Sequence, residues 1–185
     1  MSKRFRSATV GKIPTVNSFA HRDPLTSDIL SRNEDFRFLN RLTTTDGIMD
    51  KHLAIQINAT LPALYKESHD WHLIYSMDQD GISLNTLFSK SGETGQGSCV
   101  LVIKDQNKRV YGAYLSEHLC IKKGFYGNGT SFLWSTNATS FKIFMATGIN
   151  EFYISSVDTT SFSLGDGKSG PGLFINDDFQ VNSAV

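Results

Sequence analysis

Glycine is spread unevenly along this chain, and that asymmetry limits the fold more than any other feature. Thirteen of the 15 glycines lie at or after Gly81, whereas the first 46 residues hold only Gly11. Frequent glycine shortens helices and supplies the tight turns between short strands. The second half therefore reads as strands and turns, the first as tail and helix.

Periodicity fills in the elements. Met49, Leu53 and Ile57 recur at helical spacing, which predicts a helix over residues 46–58 with Thr45 or Asp46 as N-cap. Leu61-Pro62 stops it. Ser83 caps a second helix over 83–88, with Leu84, Leu87 and Phe88 on one face. A further helix is read over 29–42, with Phe38, Leu39 and Leu42 on one side. Trp71, Leu73 and Tyr75 alternate with His72, Ile74 and Ser76 as in a strand. Residues 99–103 are all apolar, which suits a strand buried on both faces, and 110–115 follow the turn at 105–108 as its hairpin partner. More strands are expected at 131–134, 151–156, 162–164 and 172–175. The class is α+β, mainly β: an antiparallel two-sheet β-sandwich with flanking short helices. Residues 1–41 read as a basic, largely irregular tail, and 42–185 as the domain.

Charge narrows the function. The 18 basic and 18 acidic side chains cancel, which argues against a binder that works by neutralising phosphates, so no nucleic-acid partner is expected. The longest apolar run is five residues, too short for a transmembrane helix. Two cysteines make no disulfide scaffold, and the composition suits a soluble intracellular domain. The N-terminus is basic: Lys3, Arg4, Arg6, Lys12 and Arg22 precede the first acid, Asp23. That balance fits a mitochondrial presequence or a solvated tail, and Gly11 and Pro14 would interrupt the helix a presequence needs.

Several chemical motifs come close and fail. Gly167-Lys168-Ser169 ends like a phosphate-binding loop, but the loop lacks its first glycine and Pro171-Gly172 stand where a helix should follow. Gly81-Ile82-Ser83 begins like a nucleophile elbow and ends on Asn85, so an N-cap explains Ser83 better. His69 and His72 point to opposite faces of a strand, which leaves Asp70 and the scattered His21, His52 and His118 without a metal geometry. Cys120, two residues from His118, is a candidate thiolate, and Cys99 reads as inert core. The Lys122–Tyr126 stretch reads as a solvated turn. No catalytic residue, metal or cofactor is assigned.

The informative residues form an ordered series. Trp71-His72-Leu73-Ile74-Tyr75-Ser76 is followed by Gly81-Ile82-Ser83-Leu84-Asn85-Thr86-Leu87, and then by Val100-Leu101-Val102-Ile103-Lys104-Asp105. Next come Val110-Tyr111-Gly112-Ala113-Tyr114 and Gly127-Asn128-Gly129-Thr130-Ser131-Phe132-Leu133-Trp134. Ser163-Leu164-Gly165-Asp166-Gly167 and Gly172-Leu173-Phe174-Ile175 close it. This series, over about residues 42–179, resembles the TLDc domain of the oxidation resistance protein family. The resemblance implies two antiparallel sheets packed face to face. It also implies roles in resistance to oxidative damage and, in several members, binding to the vacuolar-type proton ATPase. Short fungal relatives point to mitochondria; the ATPase role points instead to cytosol at the vacuole surface. No reaction comes with the family. The positions it implies for shape are Gly81, Gly112, Gly127, Gly129, Gly165 and Gly172 at turns, with Trp71, Phe132 and Trp134 in the core.

After Phe179 relatives continue to a further strand ending in a Glu-Val-Trp-like motif, whereas this chain stops at Val185. The domain is therefore read as truncated, with its C-terminal strand missing and a sheet edge left open. Three functions stay open: an interaction module supporting oxidation resistance through a protein partner, a thiol-based peroxide scavenger or other enzyme, and a degenerate inactive paralogue. For the module, Glu151 at a strand entry and Asp166 in a glycine loop are the candidate binding charges.

Overall fold

The structure, a computed structural model, describes residues 3–13, 36–45, 47–95, 97–137 and 140–183. The strands in chain order are β1 (Lys3–Lys12), β2 (Arg37–Leu39), β3 (Asp70–Ser76), β4 (Cys99–Asp105), β5 (Val110–Leu115) and β6 (Lys122–Tyr126). They continue with β7 (Phe132–Thr136), β8 (Phe141–Met145), β9 (Ile154–Ser156), β10 (Ser161–Leu164), β11 (Leu173–Asn176) and β12 (Gln180–Ser183). The helices are α1 (Lys51–Thr60), α2 (Ala63–Lys66), α3 (Met77–Asp80) and α4 (Leu84–Glu93). None of them is long and apolar enough to cross a membrane.

Two sheets result. The first runs β2-β3-β1-β4-β5-β7-β8 and the second β6-β9-β10-β11-β12-β1. Among the described residues every pairing is antiparallel except β2 with β3. β1 serves both sheets: Lys3 and Arg4 pair with β12, and residues 5–12 pair with β4.

Alternation along β4 explains the layers. Cys99, Leu101 and Ile103 point toward the second sheet and join Ile154, Phe162, Leu164, Leu173 and Ile175 in one core, which Leu84, Leu87 and Phe88 of α4 close. Val100 and Val102 point the other way, into a second core with Trp71, Phe132, Trp134 and the Leu53, Ala54 and Ile57 face of α1. β4 is thus buried on both faces, as its unbroken apolar run requires.

Several elements differ from the sequence expectation. Residues 3–12, read as irregular tail, form a strand inside the first sheet. Their alternation is weak because the strand is basic and carries Gly11. Of the helix read over 29–42, residues 29–35 lie outside the described residues, and Arg37–Leu39 are β2, fixed by parallel pairing to Asp70–His72. α1 begins at Lys51 rather than at 46, because the Asp50 carboxylate accepts the Leu53 N–H at 2.8 Å and sets the cap there. α4 extends five residues past Phe88 to Glu93, burying Ser91 as well. Lys122–Tyr126 is not a solvated turn but β6, paired with β9. Gln180–Ser183, for which no strand was read, form β12, paired with β11 on one side and β1 on the other.

Candidate functional site

The sandwich opens at one end. There β7, β8 and the turn at Gly165–Lys168 bound a cleft of about 550 Å³. Its walls include Leu133 of β7, Phe144 and Met145 of β8, Ile149, Phe152 and Tyr153 of the following loop, and the turn at Gly165–Lys168. Large apolar side chains are exposed here, with Ile149 at 84% and Met145 at 54% of full exposure. Phe152 stacks on Phe125 of β6 with ring centroids 4.5 Å apart.

The backbone holds these walls in place. Asn150 accepts the Phe152 N–H at 3.1 Å and donates its amide to the Asp166 carbonyl at 3.2 Å. The Asp166 N–H reaches the Phe152 carbonyl at 2.9 Å, and the Gly165 N–H the Tyr153 carbonyl at 2.8 Å. The loop is therefore laced to the glycine turn, a rigid rather than adaptable wall. Gly165 turns at φ +64°, a left-handed conformation in which a side chain is strained. A Cβ on Gly172 would lie 2.5 Å from Leu133 Cδ1, so Gly172 leaves space for a residue of the cleft wall.

Of the two candidate binding charges, Asp166 lines the cleft, its carboxylate accepting the Gly167 N–H at 2.8 Å. Glu151 is exposed on the adjoining loop and is not a lining residue, but both its neighbours, Asn150 and Phe152, bond to the Asp166 backbone. Lys168 lies on the same turn as Asp166. Sequence reasoning missed Phe144, Met145, Ile149 and Phe152. The signal was the apolar run 143–146 followed by Gly148-Ile149, but apolar composition alone does not say which residues stay uncovered.

The other singled-out residues have structural places. Trp71, Phe132 and Trp134 are buried. Gly81 ends α3 at φ +80°, and the Tyr75 hydroxyl donates to its carbonyl at 2.6 Å and accepts the Ser83 N–H at 3.3 Å. Ser83 caps α4 by accepting the Thr86 N–H at 3.2 Å, which accounts for the elbow-like motif. Gly127 has φ +86°, and Gly129 lies in the next turn beside Tyr153. Gly112 is not at a turn. It sits within β5 opposite Val102 and Trp134, where a Cβ would come within 1.9 Å of the Leu101 carbonyl oxygen.

The thiols differ in setting. Burial pushes the Cys99 thiol up to about 12, so it carries no thiolate at neutral pH. Cys120 is half-buried. Its peptide N–H donates to the Tyr126 hydroxyl, and its carbonyl accepts from the Tyr126 and Ser156 hydroxyls at 3.1 and 2.6 Å. Asp70 is taken by the Arg37 guanidinium, whose hydrogen bonds hold its carboxyl below the usual range. Among the described residues no three metal-ligating side chains gather.

These features define a two-sheet β-sandwich with flanking helices and an apolar cleft at one end. The family model for the TLDc domain matches residues 42–184, and the chain belongs to that family. It is similar to Oxidation resistance protein 1 of Yarrowia lipolytica, 38% identical over 141 residues that cover 73% of this chain and 61% of that protein. It is also similar to the protein of the same name from Debaryomyces hansenii, 30% identical over 193 residues covering 72% and 59%. Human Nuclear receptor coactivator 7 is 32% identical over 146 residues, covering 79% of this chain and 15% of that protein. The chain spans about three-fifths of the length of the first two relatives.

Proposed function

We propose that this chain is a non-enzymatic interaction module that contributes to protection from oxidative damage by binding a protein partner through the cleft between β8 and the Gly165–Lys168 turn. One observation carries the reading: a rigid, hydrogen-bonded rim that leaves Phe144, Met145, Ile149 and Phe152 exposed together. Contiguous exposed apolar surface with a polar rim is the pattern of a protein-binding site. The names of the fungal relatives support the link to oxidation resistance. The vacuolar-type proton ATPase is the first partner to try, and the basic N-terminus motivates a mitochondrial location, with cytosol at the vacuole surface as the alternative.

The test is capture by purified ATPase sectors, comparing wild type with Asp166→Ala, Glu151→Ala and Phe152→Ser at equal folded concentration. The expected result is binding by wild type and a fall of at least about tenfold for Phe152→Ser, a loss of about 1.4 kcal/mol. Protection from peroxide in a deletion strain should be restored by wild type and by the Cys99→Ser/Cys120→Ser double variant, but not by Phe152→Ser. Rescue that is lost in the double thiol variant and kept in Phe152→Ser overturns the module in favour of thiol chemistry. Fluorescence from residues 1–45 fused to a reporter decides location: a diffuse cytosolic signal removes the mitochondrial proposal.

A further inference from the structure

β1 occupies an unusual position for a segment outside the family-matched region. That region starts at residue 42, whereas β1 spans Lys3–Lys12. Yet β1 lies in the interior of the first sheet, between β3 and β4, which pair with it on either side and not with each other. Residues 9–12 bond β3 while residues 5–12 bond β4. Val10 is fully buried in the core between the sheets, and Ile13, just past the strand, is buried in the core under α1. Gly11 faces the β3 backbone, its Cβ position lying 3.4 Å from the His72 carbonyl oxygen, an ordinary contact distance. At its other end β1 reaches β12 and so ties the two sheets together.

Without β1 the matched region would keep two facing strand edges with nothing between them. Each edge would expose a ladder of backbone donors and acceptors, a template for pairing with an extended chain. We propose that the gap between β3 and β4 is a strand-acceptor slot, and that residues 3–12 are its donor: a tethered segment, required for folding, that an extended peptide of the same sequence can replace in trans. The geometry is that of strand addition, with the main chain giving affinity and the buried Val10, with Ile13 just past the strand, giving register. Import into mitochondria by way of a cleaved leader then has to spare residues 3–12.

The test uses the full chain with a specific protease site placed within residues 20–27, cut after folding. The expected result is that the N-terminal piece stays bound in equimolar amount on gel filtration and that the cut protein unfolds in one transition. When the cut protein is unfolded and refolded with excess labelled peptide of residues 1–13, the label should enter stoichiometrically, and a scrambled peptide should not. Separation of the piece in native buffer, with the remainder keeping its circular dichroism and melt, overturns the proposal. So does equal entry of the scrambled peptide. Thr9→Pro in the uncut chain provides a second measurement, since proline removes a ladder N–H from an interior strand. A melt within about 1 °C of wild type, less than the smallest single-site effect expected of an interior strand, also sinks it.

Discussion

Two hairpins of the first sheet share a ladder and differ in cover. β4–β5 lies between the second sheet on one side and α1 on the other, and nearly all of its side chains are buried. β7–β8 begins the same way, with Phe132 and Trp134 buried, but β8 keeps only Phe141 half-covered, stacked on Trp134 at 5.8 Å. Lys142, Ile143, Phe144 and Met145 are exposed. The turns differ in the same sense. Asp105 is buried and accepts the Asn107 and Arg109 N–H groups and the Arg109 guanidinium, whereas Asn137 is exposed and its Oδ1 accepts the Ser140 N–H and hydroxyl. Strand pairing is common to both hairpins. What separates the covered hairpin from the uncovered one is the layer packed over it, since burial rather than the ladder supplies most of the net free energy.

The sharpest break of this contrast is at Gly112. A Cβ there meets the Leu101 carbonyl oxygen at 1.9 Å and Trp134 Cζ2 at 2.9 Å, and the carbonyl belongs to the ladder, so the strands must part. Gly112→Ala should cost more than about 3 kcal/mol, read as a lowered urea midpoint or failure to fold. Lys142→Ala on exposed β8 should shift stability by less than about 0.5 kcal/mol. Equal midpoints for the two variants contradict the difference in cover.

Gly112 also shows where sequence reading succeeds and stops. Its presence in an aromatic-rich strand was visible, but glycine signals both a turn and a close approach, and only the register against Leu101 distinguishes them. The β4–β5 hairpin was legible because an apolar run, a polar turn and a second apolar run are local features. β1 was not, because Lys3, Arg4, Arg6 and Lys12 mimic a solvated tail, and its partners lie far away in sequence at 72–76 and 99–105. β2 failed for the same reason, being held by parallel pairing to β3. Asp166, which lines the cleft, was singled out through its glycine turn, whereas the exposure of Phe144 and Ile149 depends on what packs over them from elsewhere in the chain, which no local pattern encodes.

The turn of the covered hairpin gives the next effect. Burial pushes the Asp105 carboxyl up, but the Arg109 side chain and the backbone N–H groups outweigh it and leave the carboxyl below its ordinary value. A lowered folded value means this contribution is present above the unfolded value of about 3.9 and is lost as pH falls through the folded value. Asp105→Asn should cost about 2–3 kcal/mol at pH 7. The wild-type and variant stability curves should converge on acidification below about pH 4. A difference that stays constant from pH 7 to pH 2.5 would show that the charge of Asp105 is not what holds the turn.

On the uncovered side, Phe144→Ser removes a ring that is 41% exposed, so part of its area is already in water. The expected loss is about 1 kcal/mol of stability, well under the usual cost of truncating a buried aromatic. Partner capture should fall about tenfold or more, because the same ring forms a wall of the cleft. A loss of stability above about 3 kcal/mol would place Phe144 in the core and erase the contrast between the hairpins.

Ile149→Ser should have the smallest effect on the fold and is the most selective probe of the site. The side chain is 84% exposed on the loop after β8, so little apolar contact is lost with it. Its own N–H faces the Thr147 hydroxyl at 3.4 Å, a backbone contact that the substitution leaves intact. The rim bonds from Asn150 to Phe152 and Asp166 do not involve its side chain. Stability should therefore change by less than about 0.5 kcal/mol. An isoleucine so exposed in a folded domain has no packing role to explain it, and beside Met145 and Phe152 it extends one apolar surface. Loss of partner capture and of peroxide protection, at an unchanged melt, locates function in the cleft. Full capture and full protection by Ile149→Ser and Phe144→Ser alike would move the partner's contact elsewhere, with the β6 edge around Phe125 the next surface to test.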